Sequence, residues 1–112
     1  MNFLINLLIS SLAVFASARV IPGVVIDNFT TSVIVAIILG VVNAIIKPIL
    51  IILTLPINIM TLGLFTLVIN AVVVLIVDAL VPGFSVSSFV SALLFSIVLS
   101  VVSLVLFTIA GE

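Results

Sequence analysis

The apolar stretches of this chain are continuous rather than alternating, as in Ile34 to Leu39 and Val72 to Val77, and almost nothing charged interrupts them. Only Arg19, Asp27, Lys47, Asp78 and Glu112 carry charge among 112 residues, 4% where a soluble domain has about 25%. A water-facing surface cannot be assembled from that inventory. The composition also excludes a disordered chain, and the lack of a basic patch excludes a nucleic-acid binder. A transmembrane barrel would need polar and apolar residues in alternation. What remains is an all-α integral membrane protein, because a helix satisfies its own backbone hydrogen bonds in lipid.

Turn residues divide the chain into four expected transmembrane helices. A bilayer core of about 30 Å takes about 20 apolar residues per helix. The first span covers residues 2–18 and ends at Arg19 and the Pro22-Gly23 turn. The second covers residues 29–54, with a kink expected near Pro48 rather than an end at Lys47. The third covers residues 57–80, with Pro56 suited to its first position. The Pro82-Gly83 turn follows, and the fourth span covers residues 87–109. All belong to one membrane domain. Ala16-Ser17-Ala18 has the form of a signal-peptide cleavage site, but the preceding segment lacks basic side chains, and span one is expected to be retained.

The two halves repeat in register. Pro22-Gly23 recurs as Pro82-Gly83, an offset of 60, and Phe29 recurs as Phe89 at the same offset. Leu7/Leu67, Ile9/Ile69, Val14/Val74, Leu39/Leu99 and Val42/Val102 match likewise. Each unit would hold two spans, so both enter the membrane in the same direction. The expectation is two tandem, parallel repeats about a pseudo-two-fold along the membrane normal, since an inverted repeat needs an odd number of spans per unit.

An even number of spans puts both termini on one side with the middle turn. That side has Lys47, the α-amino group and Glu112; the other has Arg19, Asp27 and Asp78. Basic groups mark the cytoplasmic face, so the termini are expected in the cytoplasm of a bacterial cell.

Helices in lipid associate through small residues and interhelical hydrogen bonds. Each span has such a stripe at steps of three or four residues, which share one helix face. The expected polar face comprises Gly40, Asn43, Lys47, Gly63, Thr66 and Asn70. With a turn near Leu55, Asn43 falls level with Asn70, and Lys47 level with Thr66. Ser10 and Ser103 extend the layer to the outer spans. A stripe of this kind is ordinary packing, or it lines a polar path. Lys47 has a stem long enough to reach the interface.

Catalytic vocabulary is missing. There is no His or Cys, and the acids are far apart in sequence. No glycine-rich phosphate loop or metal-ligand spacing occurs. A Ser/Lys dyad would have to use Lys47, and no serine is visibly set for it. No enzyme activity and no cofactor are expected.

Leu39-Gly40-Val41-Val42-Asn43, Lys47-Pro48, Leu55-Pro56, Thr61-Leu62-Gly63-Leu64-Phe65 and Ile69-Asn70-Ala71 together resemble a known pattern. It is that of phage holin superfamily IV, also described as the YvlD-like family of small bacterial membrane proteins. The spacing Asn-x3-Lys-Pro-x7-Pro is the specific part. The resemblance implies a four-span protein of the bacterial cytoplasmic membrane. The holin name implies oligomerisation into membrane lesions. Three functions are thus in play: a holin-like permeabiliser, a non-lytic housekeeping or envelope-stress protein accessory to a larger complex, and a small channel or transporter. The partners implied are the lipid bilayer and either a second copy or another membrane protein.

Overall fold

The computed structural model describes residues 2–111, so the α-amino group and Glu112 of the orientation argument lie outside the described residues. In chain order the elements are α1 (Asn2–Val20), β1 (Val24–Ile26), α2 (Phe29–Leu53), α3 (Leu55–Met60), α4 (Phe65–Leu80), β2 (Phe84–Val86) and α5 (Phe89–Ile109). Helix α1 packs against α2 and α5, and α4 packs against the same two. Helices α1 and α4 therefore lie on one diagonal of a four-helix ring, and α2 and α5 on the other.

Three helices are long and apolar enough to cross a membrane: Phe3–Val20, Phe29–Leu53 and Phe89–Ile109. Phe65–Leu80 is a shorter apolar helix. At about 1.5 Å per residue it is about 24 Å long, short of a hydrocarbon core of about 30 Å.

The helix expected over residues 57–80 is broken at Thr61–Leu64. Leu62 and Gly63 both take positive φ, 57° and 86°. The Gly63 amide donates to the Asn58 carbonyl at 2.8 Å, and the Leu62 amide to the Ile59 carbonyl at 3.1 Å. This is a Schellman closure of α3, in which two left-handed residues turn the chain and satisfy carbonyls at the helix end. Upstream, Thr54 separates α2 from α3, and Pro56 sits in the first turn of α3. Helix α2 continues through Pro48 to Leu53, although the proline cannot donate to the Ala44 carbonyl.

The architecture is all-helical, with one short addition in the connections between helices. Segments expected as plain turns pair as a two-stranded antiparallel ribbon, with Val24 opposite Val86, Val25 opposite Ser85 and Ile26 opposite Phe84. Their β-branched and aromatic residues suit an extended backbone. Each strand leaves a Pro-Gly turn whose glycine has φ +89°. A Cβ on Gly23 would run into Ser87 Oγ, and one on Gly83 would lie 2.7 Å from Asp27 Oδ2. Each strand then leads into a capped helix. The Asn28 side chain accepts from the Thr31 amide at 2.9 Å, and Ser88 Oγ from the Ser91 amide at 3.1 Å.

The core gathers at the ribbon end. Val14, Val35, Val73, Val77 and Phe95 are fully buried, and the Phe95 ring sits 5.7 Å from that of Phe84. Ala13, Ala71 and Ala92 have no exposed surface and let the helices approach closely. Thr31, Ser32, Val35 and Ala36 are buried in α2, and Ser91, Ala92, Phe95 and Ser96 are buried in α5 at the same offset of 60. Arg19 stays at this end, its guanidinium 4.7 Å from the centre of the Phe15 ring.

Candidate functional site

Beyond the core α2 and α5 lose their buried positions. Among the described residues, α2 has no buried residue after Val42 and α5 has none after Ser96. The half of the bundle remote from the ribbon is thus more open along α2 and α5, and it holds Asn43 and Lys47, whereas Ser17, Thr31, Ser32 and Ser91 are buried near the ribbon.

Asn43, Lys47 and Asn70 border one pocket of about 90 Å³, with Ser96 and Ser100 on its α5 wall. Lys47 and Asn70 are half-buried, and Asn43 is exposed. The pocket shares Asn43 and Ser100 with a cleft of about 290 Å³ that also takes in Ser10, Gly40 and Ser103. Gly40 opens the floor here, since a Cβ added to it would meet nothing within 4 Å. Four residues of the expected polar face therefore converge: Gly40, Asn43, Lys47 and Asn70.

Thr66 and Gly63 lie elsewhere. The Thr66 hydroxyl donates to Asn58 Oδ1 at 3.2 Å, and Gly63 belongs to the exposed turn that ends α3. The level pairings of Asn43 with Asn70 and of Lys47 with Thr66 do not appear among the side-chain hydrogen bonds of the described residues. Both rested on a single helical return from Leu55, and the Schellman break changes that register.

Asn58 is the residue that sequence reasoning missed. It is buried, in a helix otherwise composed of apolar residues and Pro56. A lone amide in so apolar a run was the available signal. Its partner is eight positions on, so helical spacing alone could not identify it.

The serines of the cleft bond mainly to their own helices. Ser100 Oγ donates to the Ser96 carbonyl at 2.9 Å, and Ser96 Oγ to the Leu93 carbonyl at 2.8 Å. Their lone pairs remain available to the cleft. The ammonium of Lys47 and the amides of Asn43 and Asn70 make no side-chain bond among the described residues, so the pocket is rich in donors. Neither Asp27 nor Asp78 borders it. Among the described residues, no cluster of three metal-ligating side chains occurs.

Comparison with known proteins agrees with a membrane location. The family model described as mycobacterial four-span phage holin, superfamily IV, matches residues 1–105. The uncharacterized membrane protein YvlD of Bacillus subtilis (strain 168) is 33% identical over 103 residues, covering 91% of this chain and 87% of its own. An uncharacterized protein of Streptomyces coelicolor is 42% identical over 81 residues, covering 69% of this chain and 65% of its own. No solved structure matches. The chain belongs to the superfamily IV holin family of membrane proteins.

Proposed function

We propose that this holin-family protein crosses the bacterial cytoplasmic membrane four times, as two tandem two-helix repeats, and self-associates into membrane lesions. The fourth crossing would be made by α3, its turn and α4 together, since α4 alone is about 24 Å long. The repeat is supported by the paired turns, caps and burial positions at an offset of 60. The termini and the α2–α3 turn would face the cytoplasm, with Lys47 on that side.

The observation that carries the reading is the uneven closure of the bundle. Polar groups of Asn43, Lys47 and Asn70 are unpaired in an open half, where hydrocarbon offers them no partners. The ribbon half is filled by Val14, Val35, Val73, Val77 and Phe95, all fully buried, which supports an aqueous path between chains, with the polar clefts turned inward, over one through a single chain. This argues against a channel or transporter built from a single copy. The absence of His and Cys supports a non-enzymatic role.

The test is membrane potential and viability on induced expression in a bacterial host. The controls are an unrelated four-span protein at matched level and the Asn43→Leu/Asn70→Leu double variant. Abrupt depolarisation, weakened in the double variant, is the expected result. Normal potential and growth would overturn lesion formation. A stoichiometric co-purifying protein would then favour the accessory role.

A further inference from the structure

The donor-rich pocket and the cleft beside it are two versions of one arrangement. Ser10, Val14 and Ala36 of the cleft recur sixty positions on as Asn70, Val74 and Ser96 of the pocket. Leu39 and Leu99, also sixty apart, border both. Each lobe has walls on α2 and on α5, the pair on one diagonal of the ring. The lobes are not chemically equal. Asn70 stands in place of Ser10, and Lys47 borders only the pocket, while its counterpart Phe107 borders neither lobe. The cleft has no charged wall.

These groups lie deep. Counted at about 1.5 Å per residue from the ribbon ends of their helices, Asn70 lies about 15 Å in and Ser100 about 16 Å, the middle of a core of about 30 Å. Asn43 lies about 21 Å in and Lys47 about 27 Å. Helical side chains lean toward the N-terminus of their own helix. Helix α2 begins at the ribbon and α4 ends there. Lys47 and Asn43 therefore lean toward the bilayer centre, and Asn70 leans outward to meet them.

Charge and donors select the occupant. Among the described residues no carboxylate borders the pocket beside Lys47, and an isolated charge is costly in so apolar a surrounding. One positive charge is balanced by one negative charge, so a divalent anion would leave an excess. The free hydrogens belong to Lys47, Asn43 and Asn70, while those of Ser96 and Ser100 go to carbonyls of their own helix. A ligand that only accepts hydrogen bonds fits that set. The pocket volume of about 90 Å³ is well above the ~10–15 Å³ needed for one water, so an ion has room for part of its hydration shell. We propose that the pocket binds one monovalent, halide-sized anion between Lys47, Asn43 and Asn70. The proposal rests on the membrane placement given above and not on lesion formation, since one chain completes the site.

The experiment uses the purified full chain in a neutral detergent with chloride as the probe, ionic strength being held by sodium gluconate. The chloride NMR linewidth reports binding. The expected result is saturable broadening that bromide displaces readily and sulfate poorly. Lys47→Gln should weaken chloride binding about tenfold, the scale of one charged hydrogen bond, and Lys47→Arg should retain it. Asn70→Ser, which installs the residue of the equivalent position, should weaken it about two- to tenfold. Arg19→Gln should leave it unchanged. Helicity and elution volume check that each variant folds. No saturable broadening, or equal loss in Lys47→Gln and Arg19→Gln, would overturn the site. Sulfate displacing chloride better than bromide would overturn the monovalent assignment. Binding about tenfold tighter in Glu112→Gln would mean that the chain's own carboxylate pairs with Lys47, and would overturn the anion as its occupant. Depolarisation in cells is read separately, so either proposal can fail without the other.

Discussion

The Ser87 amide donates to the Gly23 carbonyl at 2.8 Å, and its counterpart sixty positions earlier, the Asp27 amide, donates to the Gly83 carbonyl at 3.0 Å. Each bond joins the turn of one half to the strand exit of the other. Together they flank the ribbon and close one end of the bundle reciprocally. The pairing is self-complementary in the way that contacts across a two-fold axis are.

The two turn glycines therefore combine a left-handed backbone with close side-chain approach. Gly23→Ala and Gly83→Ala should each destabilise the protein by about 1–3 kcal/mol. Gly63→Ala is the comparison, because its φ is also positive but a Cβ there meets nothing within 4 Å. Thermal unfolding in detergent should show smaller loss for Gly63→Ala. Equal losses at all three would mean that the collisions at the ribbon contribute nothing.

Helix caps at equivalent places should have equivalent value. Asn28→Ala and Ser88→Ala should each cost about 1 kcal/mol. Amide hydrogen exchange at Thr31 and Ser91 reads the effect locally, and each variant should speed exchange in its own helix.

Leu62 offers an effect of opposite sign. A leucine at φ 57° carries the steric penalty of the left-handed region, about 1–2 kcal/mol. Leu62→Gly relieves it, and Leu62 is 93% exposed, so little packing is lost within the chain. The expected outcome is a higher melting temperature. A lower one would mean that contact between Leu62 and its surroundings outweighs the strain.

Core deletions should be lopsided along the bundle. Phe95 is fully buried beside Phe84, and Phe95→Ala should cost about 3–5 kcal/mol. Phe107, on the same helix in the open half, is only half-buried. Phe107→Ala should cost much less in the same melting assay.

Much of the architecture was legible because it depends on local chemistry. Continuous apolar runs dictate helices in lipid whatever else the chain does. Pro22-Gly23 and Pro82-Gly83 specify turns because only glycine takes φ +89° without strain. The gathering of Asn43 and Lys47 on one face needs nothing more than their four-residue spacing. The break at Leu62-Gly63 was not legible, since a leucine in a left-handed conformation contradicts its own preference and a glycine within an apolar helix is common. Nor was the bond from Thr66 to Asn58, which depends on the break at Thr61–Leu64 between α3 and α4.

The sequence by itself determined that this is a helical protein of the membrane, since five charges in 112 residues leave no surface for water. It also determined its family and the absence of recognisable catalytic machinery. Tertiary structure alone decided that the two turn regions pair as a ribbon, because strand register is a relation between residues 58 to 62 positions apart. The same pairing closes one end of the bundle and leaves the other open. The exposure of Asn43, Lys47 and Asn70 to a shared cleft follows from that closure, which long-range contacts set and no local pattern encodes.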